Sequence, residues 1–190
     1  MRLILLRYVP HRSLPCGCAE SIAQAPGKER VGALYVKRGT PIKPFNLGAG
    51  HERGLRPGTE NVASIVGLGC ACAIARRTMA EESARVRGLR DRLWDLLKSG
   101  VPGIELNGHP TERLPNTLNV RFPGVLGSAV LGKAPSLAAS TGSACHEGGE
   151  KASGVLIAMG IDPASALGSV RLTLGRGTTE GDATRAAEVL

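Results

Sequence analysis

Three stretches carry residues whose types could do chemistry. In ASTGSACHEGGEKASG, residues 139–154, Cys145 stands among Ser, Thr and Gly and is followed directly by His146. A thiol nucleophile needs exposure, mobility and something that lowers its pKa. The small flanks supply mobility and His146 is a candidate proton acceptor, although the same residues also suit a small cysteine in a turn beside a solvated histidine. In SVRLTLGR, residues 169–176, Arg171 and Arg176 stand on or just after a strand. An arginine there can hold both oxygens of a substrate carboxylate in its planar fork, or can simply face solvent. In GAGHERGLRPGTEN, residues 48–61, glycines allow close backbone approach and Thr59 sits just before a helix. A hydroxyl beside the free N–H groups of a helix start suits a phosphate; an ordinary turn before a capped helix reads the same way.

These groups need a scaffold, and the composition bounds it. The chain has 190 residues, 42% hydrophobic and only 3% aromatic, so Leu, Val, Ile and Ala must build the core, which favours α/β packing. The net charge of +8 is spread without a run of like charge, and the aromatics needed for base stacking are nearly absent. A solvated basic surface is the reading, with no nucleic-acid partner. Five cysteines fall at 16, 18, 70, 72 and 145. Neither CxC pair has the spacing of a zinc site, so no metal is expected. Cys70 and Cys72 lie in an apolar helical run where cysteine acts as a small hydrophobe. No disulfide framework is visible, which points to a reducing cytoplasm. The apolar run Leu3 to Leu6 is too short for a secretory signal, and no segment approaches the about eighteen apolar residues of a membrane span.

Residues 1–30 show no period of two or of 3.6. VGALYV, beginning at Val31, reads as a buried strand, followed by a long Pro- and Gly-punctuated loop. Thr59 or Asn61 caps a helix to about Arg77, and a second helix runs from Met79 to about Lys98 with Val86, Leu89, Leu93, Leu96 and Leu97 on one face. Residues 117–122 alternate like a half-buried strand, 125–133 and 154–160 read as short helices, and 137–139 as a short strand. A strand within 166–175 sets Val170, Leu172 and Leu174 against Arg171 and Thr173. Thr178 or Thr179 opens a final helix with a capping-box pattern.

In this order, VGALYVKRG, GAGHERGLRPGTENVASIVGLG, RLPNTLNVRFPG, STGSAC, VLIAMGI and SVRLTLGRGTTE resemble the C-terminal half of the NifS-like cysteine desulfurases, pyridoxal-phosphate (PLP) enzymes of the class-V aminotransferase group. The resemblance implies an α/β chain of PLP-dependent transferase fold type I, truncated. Residues 31–78 would be the end of the large PLP-binding domain, and residues 79–190 the small C-terminal domain with the cysteine loop; residues 1–30 do not match. It implies sulfur removal from L-cysteine, giving L-alanine and a persulfide on Cys145 for iron–sulfur or thio-cofactor assembly. Arg171 would bind the substrate carboxylate, and Thr59 the phosphate of PLP across a homodimer. The SxGSAC form resembles members that deliver sulfur to a scaffold or carrier protein.

The chain also departs from that pattern. Members place a His-Lys pair shortly before the GALYV strand, the lysine carrying PLP as a Schiff base; here the expected position falls near Ile22 to Gln24, and Lys28 is the nearest lysine. The expectation is therefore a fragment that does not carry PLP on its own lysine, left as a non-catalytic dimerising or carrier-binding module. A persulfide carrier using Cys145 alone is a further possibility. His146 after the cysteine is similar to some selenocysteine lyases, which makes selenium substrates the alternative.

Overall fold

The computed structural model describes residues 2–5, 20–24, 30–34, 36–37, 39–142 and 151–190. They form two compact units, Met1–Thr78 and Met79–Leu190.

In the first unit, β3 (Arg30–Leu34) is the middle of a three-stranded sheet, with β1 (Arg2–Leu5) parallel on one side and β2 (Glu20–Gln24) antiparallel on the other. The strand expected at Val31 is present. β1 and β2 lie in the stretch without a local period, and owe their form to pairing with β3. Val31 and Ala33 are buried with Leu68, and Ile65 packs against them. Residues 36–37 and 39–61 belong to the long loop, which contains a short 3₁₀ turn at Glu52–Gly54.

The two expected helices are one. α1 runs unbroken over Val62–Gly100. Nothing at the expected break stops a helix: no proline stands there, and the Thr78 hydroxyl donates back to the carbonyl of Ile74 at 3.1 Å, within the helical ladder. Of the two cap candidates Asn61 is the one used, its Oδ1 accepting from the Ser64 N–H at 3.2 Å. By length and composition α1 is also long and apolar enough to cross a membrane, which corrects the expectation that no segment comes near this. The reason is the uncharged run from Val62 to Ala75, apolar through many small residues. Part of it has a protein partner, since Leu68 and Ile65 pack on β3. Cys70 and Cys72, in the apolar run of α1, are free thiols and exposed.

In the second unit, β4 (Glu105–Leu106), β5 (Thr117–Arg121) and β6 (Ser169–Thr173) form an antiparallel sheet in that spatial order. Alternation along the strands sends Leu118, Val120, Val170 and Leu172 to one face, where Leu89, Leu93 and Leu97 of α1 and Ala183 of α5 (Glu180–Val189) close the core. Three short helices complete the unit: α2 (Gly127–Lys133), α3 (Gly154–Ala158) and α4 (Pro163–Ala166).

Two polar devices hold this layer. The Arg85 guanidinium donates to the carbonyls of Thr178 at 2.8 Å, Arg176 at 2.9 Å and Gly175 at 3.3 Å, tying α1 to the turn after β6. Thr179 caps α5, its hydroxyl accepting from the Asp182 N–H at 3.2 Å while Asp182 accepts from the Thr179 N–H at 2.9 Å.

Candidate active site

The core claims one face of the β4–β5–β6 sheet; the other is polar. Because residues directly opposite on antiparallel strands share a face, the register defines rows across it. One row is Asn107, Asn119, Arg171 and Ser140. The Asn107 N–H donates to the Asn119 carbonyl at 2.9 Å, Asn119 faces Arg171, and Arg171 is bridged to Ser140. The next row is Glu105, Arg121 and Ser169, with Arg121 ion-paired to Glu105. Thr117 and Thr173 form the row on the other side.

Arg171 is exposed, and its backbone is fixed. Its N–H donates to the Ser140 carbonyl at 2.7 Å, and its carbonyl accepts from the Ser140 N–H at 3.2 Å. Ser140 in turn closes a small turn: its hydroxyl donates to the Gly142 carbonyl at 2.7 Å and accepts from the Gly142 N–H at 3.3 Å. The stretch returns at Ser153, whose carbonyl accepts from the Ile157 N–H in the first turn of α3. Cys145 and His146 lie between these anchors, outside the described residues. The expected strand at 137–139 is reduced to the Ser140–Arg171 bridge. Arg176 is exposed in the turn after β6, where its carbonyl serves Arg85.

Glycine lets this layer close. A Cβ on Gly127, at the start of α2, would stand 2.5 Å from the Ser169 carbonyl oxygen and 3.1 Å from the Thr141 methyl. Only a glycine lets α2 lie on β6 and against the root of the cysteine stretch at once.

Underneath runs a polar network that the sequence reading did not single out. Asn107 and Ser169 are 3% and 1% exposed. The Asn107 Nδ2 donates to Asn119 Oδ1 at 2.7 Å and to Ser169 Oγ at 3.0 Å, and Arg121 Nη1 donates to Asn107 Oδ1 at 2.7 Å. Alternation in TLNVR already put Asn119 and Arg121 on one face. The pairing with Asn107 was visible only in the fold.

Thr59 belongs to the first unit and is exposed. Arg56 sets its loop, donating through Nη1 to the carbonyls of Gly58 at 2.5 Å and Thr59 at 3.3 Å. Glu52 and Arg53 hold φ of 49° and 61° there, a left-handed conformation that non-glycine residues rarely adopt and that surrounding structure must enforce. The Thr59 hydroxyl has no protein partner among the described residues, so it suits the phosphate end of PLP. The described lysines, Lys37, Lys43, Lys98, Lys133 and Lys151, are all exposed, and none offers the enclosed amine that the aldehyde end needs. These residues therefore fit one end of the cofactor.

Comparison with known proteins defines the class. Residues 27–185 match the class-V aminotransferase model, and the chain belongs to that PLP-dependent family. It is 45% identical over 167 residues to "Cysteine desulfurase IscS 1" of Archaeoglobus fulgidus, covering 86% of this chain and 43% of that protein. It is likewise 45% identical over 152 residues to "Cysteine desulfurase NifS" of Azotobacter vinelandii, covering 79% and 38%. Among solved structures, a NifS-like protein superposes with a TM-score of 0.71 at 34% identity, over 83% of this chain and 40% of that one. A NifS-like protein from Rickettsia africae gives 0.68 at 29% identity, over 78% and 39%. The fold is that of the NifS-like fold type I enzymes, as the sequence implied, and the chain spans about two-fifths of the length of the relatives it matches.

Proposed function

We propose that this chain is the sulfur-accepting part of a PLP-dependent cysteine desulfurase acting on L-cysteine, with Cys145 as the acceptor. The observation that carries the reading is the Ser140–Arg171 bridge, which ties the root of the cysteine stretch to the strand that presents the arginine. Cys145 follows Gly142 by three residues, so thiol and guanidinium are joined to one anchor.

In this reading Arg171 orients the substrate by its carboxylate, through the bidentate geometry guanidinium offers. The Cys145 thiolate forms a bond to the substrate sulfur as the carbon–sulfur bond breaks. The electron pair stays with the carbon skeleton, which takes up a proton and leaves as L-alanine, while the sulfur remains as a persulfide. The exchange needs no outside oxidant. PLP, when bound, makes that carbon–sulfur bond labile, and Thr59 holds the cofactor phosphate, in a homodimer that of the partner subunit. Residues 31–78 act as the end of the large domain and residues 79–190 as the small one. Cytoplasmic delivery of the sulfur to a scaffold or carrier protein completes the proposal.

The test uses the PLP-loaded enzyme that contains this chain, given L-cysteine labelled in its sulfur. Cyanide-releasable label on Cys145, L-alanine in equal amount, and loss of both in Cys145→Ala are expected. Label confined to other cysteines, or sulfur uptake without L-alanine, overturns the reading.

A further inference from the structure

We infer that Asn119 is a second ligand of the substrate carboxylate, donating from its side-chain amide to the group that Arg171 holds; this rests on the role proposed for Arg171. The orientation of the amide follows from donor and acceptor chemistry alone. Arginine can only donate, so the atom of Asn107 that meets Arg121 Nη1 at 2.7 Å must be its oxygen. The Asn107 nitrogen then faces Asn119 at 2.7 Å and Ser169 Oγ at 3.0 Å. Asn119 must therefore present its own oxygen to Asn107. The Asn119 Nδ2, with two protons to donate, is turned away from Asn107 and has no partner among the described residues.

What stands on the other side is Arg171. The backbone N–H and carbonyl of Arg171 are taken by Ser140, and the Asn119 carbonyl is taken by the Asn107 N–H. Asn119 and Arg171 are thus a non-hydrogen-bonded pair of the antiparallel ladder, the kind whose side chains lie closest, with Cβ atoms about 4.5–5.5 Å apart. A carboxylate on the Arg171 fork finds an oriented neutral donor beside it. The donor-only guanidinium of Arg121 locks that orientation through a buried asparagine. A free asparagine would pay rotamer entropy to adopt it; this one is already placed.

Nitrogen-15 NMR of the 190-residue chain tests this without turnover or cofactor. Titration with L-alanine, which carries the carboxylate, is compared with ethylamine, which lacks it. The Arg171 Nε–H and the Asn119 side-chain NH₂ resonances are expected to shift together with L-alanine, at one common apparent affinity, and to ignore ethylamine. Asn119→Asp keeps an acceptor for Asn107 but sets an anion beside Arg171. It is expected to weaken L-alanine binding about tenfold or more while leaving the backbone spectrum of the sheet in place. If Arg171 shifts and the Asn119 NH₂ does not, this inference alone fails. If Arg171 does not shift with L-alanine, the carboxylate role of Arg171 fails and takes this inference with it.

Discussion

Thr59 and Arg171 are presented by opposite means. Arg171 lies in a strand with a partner on each side, over a core in which eleven buried residues, among them Leu97, Val120 and Val170, are packed. Thr59 lies in a long loop whose unit buries Val31, Ala33 and Leu68 among its described residues, and whose surface shows Phe45 and Leu47 at 98% and 90% exposure. The arginine is held by backbone ladders and packing. The threonine is held by one guanidinium, that of Arg56, on the carbonyls of Gly58 and Thr59. A side chain set in a paired strand keeps its geometry through the sheet, whereas one set in a loop depends on local polar contacts.

That contrast can be broken by core truncation, where the largest effect is expected. Leu97→Ala should destabilise the second unit by about 3 kcal/mol, as deletion of a fully buried leucine side chain does. Leu68→Ala, in the smaller cluster, should leave the second unit unchanged. Urea unfolding followed by the fluorescence of Trp94, which packs on the larger core, reads the difference. Equal sensitivity of Trp94 to both substitutions would show that the two regions share one core.

Arg85→Met keeps the aliphatic stem and removes three hydrogen bonds to carbonyls. It should cost about 2 kcal/mol, in the range of bonds made by a charged donor to groups left without a partner. Amide exchange should quicken at Thr178 and along α5 while the Ser140–Arg171 bridge stays protected. If the bridge opens too, the site depends on α1 more than on the strand pair.

Thr179→Ala removes the cap of α5 and should cost about 1 kcal/mol, seen as a lower unfolding midpoint. The smallest effect is one of pH. Hydrogen bonds from Thr179, first from its side chain and then from its backbone, hold the Asp182 carboxyl below its ordinary value. A group whose folded pKa is lowered contributes stability above its unfolded pKa and loses it as pH falls through the folded one. The contribution of Asp182 to α5 should therefore fall away between its ordinary value and its lowered folded one, and Thr179→Ala should shrink that acid dependence; an unchanged dependence assigns the lowering to another group.

Much of this was legible in the chain itself. Alternation in TLNVR and SVRLT assigned Arg171 to the polar face and Val170 and Leu172 to the core, and the order of motifs implied the family. The two strands before Arg30 were not legible, because their form comes from pairing with β3 across the sequence. Nor was the continuity of α1: the residues around Thr78 neither favour nor forbid a break, and the helix runs through them.

The sequence by itself determined which residues could do chemistry here and which face of each strand is polar, since both follow from residue type and a period of two. Only the tertiary structure decided that Ser140 pairs with Arg171, and that Arg121, through Asn107, fixes which end of the Asn119 amide faces Asn107. Those relations depend on strand register, set by core packing and turns far from the residues it aligns.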